Sequence, residues 1–317
     1  MAAALVAAFP FATRAQPAAR AYRLGMLRPT SRTALDMSTA IPLALRDLGY
    51  VEGQNLMVDY RYAEGHLDRL PRLAWELVAL KPDVIVAVGS GAVKAAKDAT
   101  TTIPVVMYGN FDPVQLGLVK SLARPGANIT GVLIAPHGTL AAKKLELLKE
   151  AVPRATRMAL LIPDDPNFRT QTAEVQQAAT SLGIDLVVVQ VRAGNFEEAF
   201  ARLTAARVGA LFVGATTFFM QDRKPIIDLA AKHRLPAIYE WPEQVIDGGL
   251  MSYGGNLSEM YRRIANYIDR IIKGAKPAEM PVEQPAKLQL VINLTTAKAL
   301  GLDLPQSLLA RADEVIQ

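Results

Sequence analysis

Short apolar strands alternate with helices along most of this 317-residue chain. The clearest unit runs from Asp83 to Asp112: an apolar run, the small-residue turn Gly89-Ser90-Gly91, a helical segment and a second apolar run that ends in polar and aromatic residues. A looser copy runs from Gly209 to Glu243. Parallel strands place such turns along one edge of a sheet, where α/β sheets bind ligands. The repeat therefore predicts an α/β fold with two parallel sheets whose ligand-binding edges face each other across a cleft.

Length and composition also favour two domains. Domains have roughly 150 residues on average, so a chain of 317 residues is expected to form two domains. Hydrophobic residues make up 51% of the chain, which is enough for two cores. Three prolines between Lys276 and Pro285 indicate a linker, so we expect the chain to cross between the lobes more than once. The predicted division is a leader at 1–20, an N-terminal lobe of 21–131 plus 253–284, and a C-terminal lobe of 132–252 plus 285–317.

No pattern in the sequence indicates nucleic-acid binding, a metal site or a catalytic nucleophile. The net charge is +5, but the basic residues are scattered, which is typical of a mildly basic surface. The chain has no cysteine, so thiolate chemistry and a lipid anchor on cysteine are excluded. Lys94 occupies the position of the third glycine of a dinucleotide-binding turn. We expect no catalytic residue, no metal and no cofactor.

The N-terminus resembles an export signal. Residues 1–10 form an apolar run of signal-peptide length, and Thr13 and Ala15 put small residues at the −3 and −1 positions of a cut before Gln16. A disordered alanine-rich leader is the alternative. No later segment has about 20 uninterrupted apolar residues. We therefore expect an exported, soluble periplasmic protein without a lipid anchor.

Candidate ligand contacts follow the predicted strands. Ser90 begins a helix, and a helix N-terminus can receive a carboxylate or phosphate oxygen. Glu240 follows a strand without an evident capping role and could neutralise an ammonium group. Asp112 precedes a proline and is explained more simply as a helix N-cap. Aromatic residues at strand ends either line a cleft or pack between lobes; they are Tyr108, Phe111, Phe218, Phe219, Tyr239 and Trp241.

Seven motifs resemble those of the ABC-transporter substrate-binding proteins, in the group that includes tryptophan- and tyrosine-binding members. They occur in family order and cover nearly the whole chain after the leader. The motifs are LGYVEGQN at 48–55, KPDVIV at 81–86, DPV at 112–114, SLARPGANITG at 121–131, GGLMSYG at 248–254, IIKGAKPA at 271–278 and VIN at 291–293.

The resemblance implies the type I periplasmic-binding architecture: two Rossmann-like lobes with hinge crossovers and a ligand clamped between them. It also implies an ABC permease and an ATPase at the inner membrane as partners. We further expect a monomer without enzyme activity. Family positions and the strand-end aromatics together predict thirteen ligand contacts. They are Thr30, Ser31, Ser90, Gly91, Asn110, Phe111 and Asp112 in the first lobe, and Asn167, Thr216, Thr217, Phe218, Tyr239 and Glu240 in the second.

These expectations define a hypothesis and two alternatives. The hypothesis is a solute-binding component of an ABC importer that clamps a small carboxylate-bearing solute, either an amino acid or an aromatic acid. One alternative is a two-lobe α/β enzyme such as a sugar-nucleotide transferase. The other is a ligand-sensing regulator of the same fold, although no DNA-binding segment precedes the first strand.

Overall fold

The computed structural model describes residues 21–32, 40–134, 140–165, 168–192, 194–284 and 287–317. The predicted leader and the predicted contact Asn167 lie outside these residues. The described chain forms two sheets of mostly parallel strands, each covered by helices. This confirms the predicted α/β class with two lobes.

The N-terminal lobe is built on a five-stranded parallel sheet with the strand order β2-β1-β3-β4-β5. Every residue of β3, β4 and β5 is buried. Helices cover both faces of the sheet, which is why these strands are continuous apolar runs rather than alternating ones. The strands are β1 (Tyr22–Arg28), β2 (Leu56–Tyr62), β3 (Val84–Val88), β4 (Val105–Gly109) and β5 (Ile129–Leu133), and the helices are α1 (Ala40–Arg46), α2 (Leu70–Ala79) and α3 (Ser90–Ala99).

The C-terminal lobe contains a seven-stranded sheet with the order β12-β11-β10-β9-β8-β6-β7. All its neighbouring strands are parallel except β10 and β11, which are antiparallel. The strands are β6 (Arg157–Pro163), β7 (Asp185–Val191), β8 (Ala210–Val213), β9 (Ala237–Tyr239), β10 (Met251–Gly254), β11 (Gln289–Asn293) and β12 (Glu314–Ile316). The remaining helices are α4 (Leu140–Ala151), α5 (Arg169–Ser181), α6 (Phe196–Ala205), α7 (Thr217–Gln221), α8 (Arg223–Lys232), α9 (Pro242–Ile246), α10 (Leu257–Ile272), α11 (Leu294–Leu300) and α12 (Gln306–Leu309).

The chain passes between the lobes three times: after β5, after β10 and before β11. Helix α10 returns to the N-terminal lobe, where its apolar face packs in the same cluster as β1, β3 and β4. The N–H groups of Val282 and Glu283 then donate to carbonyls of that lobe. β5 and β10 extend two residues past the predicted lobe limits of 131 and 252, so we place the divisions after these strands.

The segment after β4 differs from its prediction. The sequence predicts a helix over 113–123, but the chain forms a series of turns there. Asp112 Oδ1 does accept the N–H groups of Val114 at 2.8 Å and Gln115 at 2.9 Å, as an N-cap would. Gly117 then adopts φ +65°, a left-handed conformation that ends the helical path after one turn.

Candidate ligand-binding cleft

A cavity of about 560 Å³ lies between the two lobes. Its volume is within the range of roughly 300–1,000 Å³ that is typical of small-molecule sites. The N-terminal lobe contributes the segments that follow β1, β2 and β3, and the C-terminal lobe contributes those that follow β6, β7 and β8. The carboxyl edges of both sheets therefore meet at the cavity, as the sequence predicts.

The N-terminal wall of the cavity contains unpaired hydrogen-bonding groups. Thr30 is only 5% exposed, and its Oγ1 has no hydrogen-bond partner among the described residues. Ser90 and Gly91 begin α3 directly after Gly89, whose φ of +82° turns the chain from strand to helix. The first N–H groups of a helix have no partner within it, and its N-terminus carries partial positive charge. This wall is therefore suited to a carboxylate.

The C-terminal wall presents two aromatic side chains, Phe168 and Phe218. The ring of Phe218 stacks on that of Phe196, with 5.8 Å between centroids and 21° between planes. Thr216 holds the start of α7 because its Oγ1 accepts the N–H of Phe219 at 2.9 Å. The position of Phe218 is thus fixed by both a helix cap and a ring contact, and its wall is suited to an apolar or aromatic group.

Acidic side chains outnumber basic ones around the cavity: Glu64, Asp164, Asp165 and Asp222 against Arg192. Glu64 pairs with Arg69 at 2.9 Å, and Asp164 accepts from Arg192 Nε at 3.1 Å. Within the described chain, Asp222 makes no such pair, and burial raises the pKa of its carboxyl. Two of the four carboxylates of the lining are thus paired with arginines.

The two lobes contact each other beside the cavity. Gln221 Nε2 donates to the carbonyl of Ser31 at 2.8 Å, and Thr170 Oγ1 donates to Gln115 Oε1 at 3.2 Å. Trp241, from the C-terminal lobe, packs in the apolar cluster of the N-terminal lobe. The two lobes therefore touch directly at the rim of the cavity.

Six of the thirteen predicted contacts line the cavity: Thr30, Ser31, Ser90, Gly91, Thr217 and Phe218. Three others, Asn110, Phe111 and Asp112, line a separate inter-lobe space of about 20 Å³, which is room for little more than a water molecule. The cavity lining does not include Thr216, which caps α7, or Tyr239, which is 1% exposed in the core of the C-terminal lobe.

Glu240 has a role that the sequence did not reveal. Its Oε2 accepts a hydrogen bond from Lys144 Nζ on α4, and both residues are 1% exposed. Lys144 Nζ also lies 5.0 Å from the ring centroid of Phe212. Burial raises the pKa of Glu240, while the ammonium of Lys144 acts in the opposite direction. Because Glu240 already neutralises a cation of its own lobe and does not line the cavity, we correct its assignment as the group that pairs with a ligand.

Sequence reasoning missed several residues of the lining. Asp164, Asp165 and Phe168 directly follow β6, so the rule that selected Ser90 also applies to them. An acid at position 222 also suits the start of a helix, and nothing in the sequence distinguishes that role of Asp222 from one in a cavity. No sequence pattern marks Gln221 as part of the cavity, because its contact with Ser31 depends on how the two lobes meet.

The part of the chain that the structure describes contains neither a cluster suited to a metal ion nor a membrane-spanning helix. No group of three or more histidine or acidic residues there is arranged to hold a metal ion. No helix among those residues is long and apolar enough to cross a membrane.

Comparison with known families agrees with this geometry. The model of the family described as ABC transporter substrate binding protein matches residues 28–316. The chain belongs to this family. It is therefore the substrate-binding component of an ABC transporter, and membership implies a small-molecule ligand and a permease and ATPase as partners.

Three relatives illustrate the similarity of this substrate-binding protein to others. A tyrosine-binding protein of Clostridioides difficile (strain R20291) is 25% identical over 260 residues, which are 82% of this chain and 74% of the relative. A conserved domain protein from Vibrio cholerae has a TM-score of 0.84 at 26% identity, covering 93% of this chain and all of the other. An ABC domain from Streptococcus pneumoniae in complex with L-Trp has a TM-score of 0.82 at 27% identity, with the same coverage.

Proposed function

We propose that this protein is the periplasmic component of an importer and that it clamps a small carboxylate-bearing solute, an amino acid or an aromatic acid, in the cavity between its lobes. The observation that carries the proposal is the N-terminal wall of that cavity. Among the described residues, the buried hydroxyl of Thr30 has no hydrogen-bond partner, and the first N–H groups of α3, which begins at Ser90, have no acceptor within the helix. A carboxylate would accept from these donors with little reorganisation.

The other walls support a solute with an apolar side group. Phe168 and Phe218 line the C-terminal side, where a planar group could stack on them. The names of two relatives refer to tyrosine and L-Trp, which combine a carboxylate with an aromatic ring. The hydrogen bond from Gln221 to Ser31 would hold the lobes closed over the solute, and the closed form would signal the permease.

A thermal-shift panel tests this proposal. The protein is unfolded in guanidinium, dialysed and refolded to remove any bound solute, and then melted with the twenty amino acids and a set of aromatic acids. A ligand at 100 times its dissociation constant stabilises the folded state by about 2.7 kcal/mol, which raises the melting temperature by several degrees. If the refolded protein gives no shift with any of these compounds, the proposed ligand class is wrong.

The proposed location and assembly are tested separately. Fractionation of cells that express the full chain should place the protein in the periplasmic fraction, shortened at its N-terminus. Sedimentation should give the mass of a monomer. Recovery of the protein in the cytoplasm with Met1 retained would contradict export.

A further inference from the structure

Three phenylalanine rings form a cluster at the C-terminal wall of the cavity. Phe218 is the member that lines the cavity, whereas the described lining does not include Phe196 or Phe219. The ring centroids of Phe196 and Phe218 are 5.8 Å apart with 21° between planes, and those of Phe218 and Phe219 are 5.5 Å apart. Phe196 and Phe219 also contact each other, with 6.2 Å between centroids. This wall therefore has an outer ring, which faces the cavity, and two inner rings behind it.

The inner rings belong to the core of the C-terminal lobe. Phe196 is 5% exposed and Phe219 is fully buried, and both are members of one apolar cluster against which the partly buried Phe218 packs. Phe196 is the first residue of α6 and closely follows Arg192 and Gly194, which do line the cavity. Because side chains in a core interdigitate at high density, the position of the outer ring depends on the inner ones.

We propose that Phe196 limits the size of the side group that the solute can place against this wall, without contacting the solute itself. Phe218 lies between the cavity and the buried cluster, so a larger solute group can displace its ring only toward Phe196 and Phe219. Phe196 is thus a positioning residue that determines specificity through Phe218. This inference rests on the proposed function, because it concerns the solute bound in the same cavity.

A smaller side chain at position 196 should enlarge the cavity from behind. Phe196→Leu keeps the position apolar but removes the ring that stacks on Phe218. The surroundings of a deleted group relax only partly, so space remains into which the Phe218 ring can move away from the cavity. In a hydrophobic pocket, one methylene changes the affinity for a ligand by roughly 10- to 200-fold. The loss of several carbon atoms at position 196 should therefore be measurable as a change in ligand selectivity.

The first part of the test needs no ligand. Crystal structures of the solute-free wild type and of Phe196→Leu compare the position of the Phe218 ring. The ring should be displaced toward position 196 in the variant, and the cavity should be larger. An unchanged Phe218 ring overturns the inference, whatever the protein binds.

The second part measures selectivity by isothermal titration calorimetry on refolded protein. The probes are two series of carboxylates, one of amino acids and one of propionic acids, whose ring grows from phenyl to indolyl to naphthyl. The affinity for the naphthyl compound relative to the phenyl compound should rise at least about tenfold in Phe196→Leu over the wild type. A merely structural defect would weaken the whole series by a common factor and leave this ratio unchanged.

Phe200→Leu is the matched control. It makes the same substitution on the same helix at a fully buried position, where the ring contacts His233 at 5.7 Å between centroids. Among the described residues, Phe200 has no ring contact with Phe218, so this variant should lose stability but keep the selectivity ratio. Circular dichroism verifies folding. If Phe196→Leu does not fold, Phe196→Met takes its place, because the longer flexible side chain of methionine fills irregular gaps in a core.

The outcomes separate the inference from the proposed function. If the ratio in the position-196 variant equals that of the wild type, the inference is overturned while the proposed function stands. An equal change of the ratio in Phe200→Leu also overturns the inference, since the effect would then come from core loosening in general. A wild type that binds no member of either series overturns the proposed function and the inference with it.

Discussion

Replacement of Lys144 by methionine should severely destabilise the C-terminal lobe. The Lys144 and Glu240 side chains are 2% and 1% exposed, and they are each other's ionic partner. Lys144→Met keeps an unbranched side chain of similar length, but it removes the ammonium that lies 5.0 Å from the Phe212 ring centroid and leaves the Glu240 carboxylate buried without a counter-charge. Glu240 Oε1 already has no hydrogen-bond partner in the described structure, so no second donor compensates for the loss.

The magnitude follows from the burial of both groups. Removal of one partner of a buried ion pair costs about 3–5 kcal/mol. For a folding unit of about 150–250 residues, each kcal/mol lost from the free energy of unfolding lowers the melting temperature by about 2–4 °C. We therefore expect the melting temperature to fall by about 6–20 °C. The double variant Lys144→Met/Glu240→Gln removes the charge as well and should recover most of this loss.

The effect should also depend on pH. Burial raises the pKa of Glu240, and loss of the Lys144 ammonium raises it further. A group whose folded-state pKa lies above its unfolded value binds its proton more tightly in the folded state, so its contribution to stability is lost as pH rises through the folded pKa. The deficit of Lys144→Met relative to the wild type should therefore be smaller at about pH 5 than at about pH 8.

Urea denaturation followed by circular dichroism at both pH values measures this deficit. Lys143→Met is the matched control, since Lys143 is exposed and forms only a surface pair with Glu146 at 3.2 Å. A surface pair contributes about 0–1 kcal/mol, so this variant should stay near the wild type. A Lys144→Met variant within about 1 kcal/mol of the wild type at pH 8, or a deficit that does not change with pH, would refute this account of the pair.

Three further predictions concern the fold and the cleft. Gly131→Ala should destabilise the N-terminal lobe by about 1–3 kcal/mol or more in urea denaturation, because a Cβ there would lie 2.1 Å from the Met107 carbonyl oxygen. Gln221→Ala removes the 2.8 Å hydrogen bond to Ser31 and should weaken solute binding about 2- to 10-fold, mainly through faster release in stopped-flow experiments. Asp222→Asn should maintain or raise the melting temperature of the solute-free protein at neutral pH, since the raised pKa of Asp222 means that its charged form is unfavourable in the folded state.

Each of these predictions has a clear contrary result. Wild-type stability of Gly131→Ala would mean that β4 and β5 are not as close as in the structure. An unchanged release rate for Gln221→Ala would show that this contact does not hold the lobes together. A marked loss of solute-free stability in Asp222→Asn would indicate that the carboxylate has a structural partner.

Much of the fold was accessible from local sequence patterns. The apolar run at 84–88 is buried at all five positions, and α3 begins at Ser90, where the Gly-Ser-Gly turn predicts it. The position of ligand groups at strand ends also follows from chain order, because parallel strands share one carboxyl edge. The same rule predicts that Thr30, Ser90 and Phe218, which come from segments far apart in sequence, lie close together, and all three line the cavity.

The parts that could not be predicted depend on contacts between distant residues. Glu240 and Lys144 are 96 positions apart, and no local pattern indicates that a lysine of an amphipathic helix turns inward to a strand end. The helix predicted after Asp112 does not form. Asp112 does cap the first turn, as the sequence predicts, but the left-handed conformation of Gly117 ends the helical path after that turn. The place of Asp222 in the cavity lining depends on how the two lobes meet, which the sequence alone does not show.

Calorimetric titration of a variant with a filled cavity tests the central claim most directly. Ser90→Trp places a bulky side chain at the start of α3, inside the cavity, and Ser181→Trp makes the same change at an exposed position at the end of α5. With the amino acid that most stabilises the wild type, Ser90→Trp should give no binding heat while its circular dichroism spectrum stays that of the folded protein. Ser181→Trp should bind normally. If Ser90→Trp binds with the affinity of the wild type, the solute is held elsewhere and the assignment of this cavity is wrong.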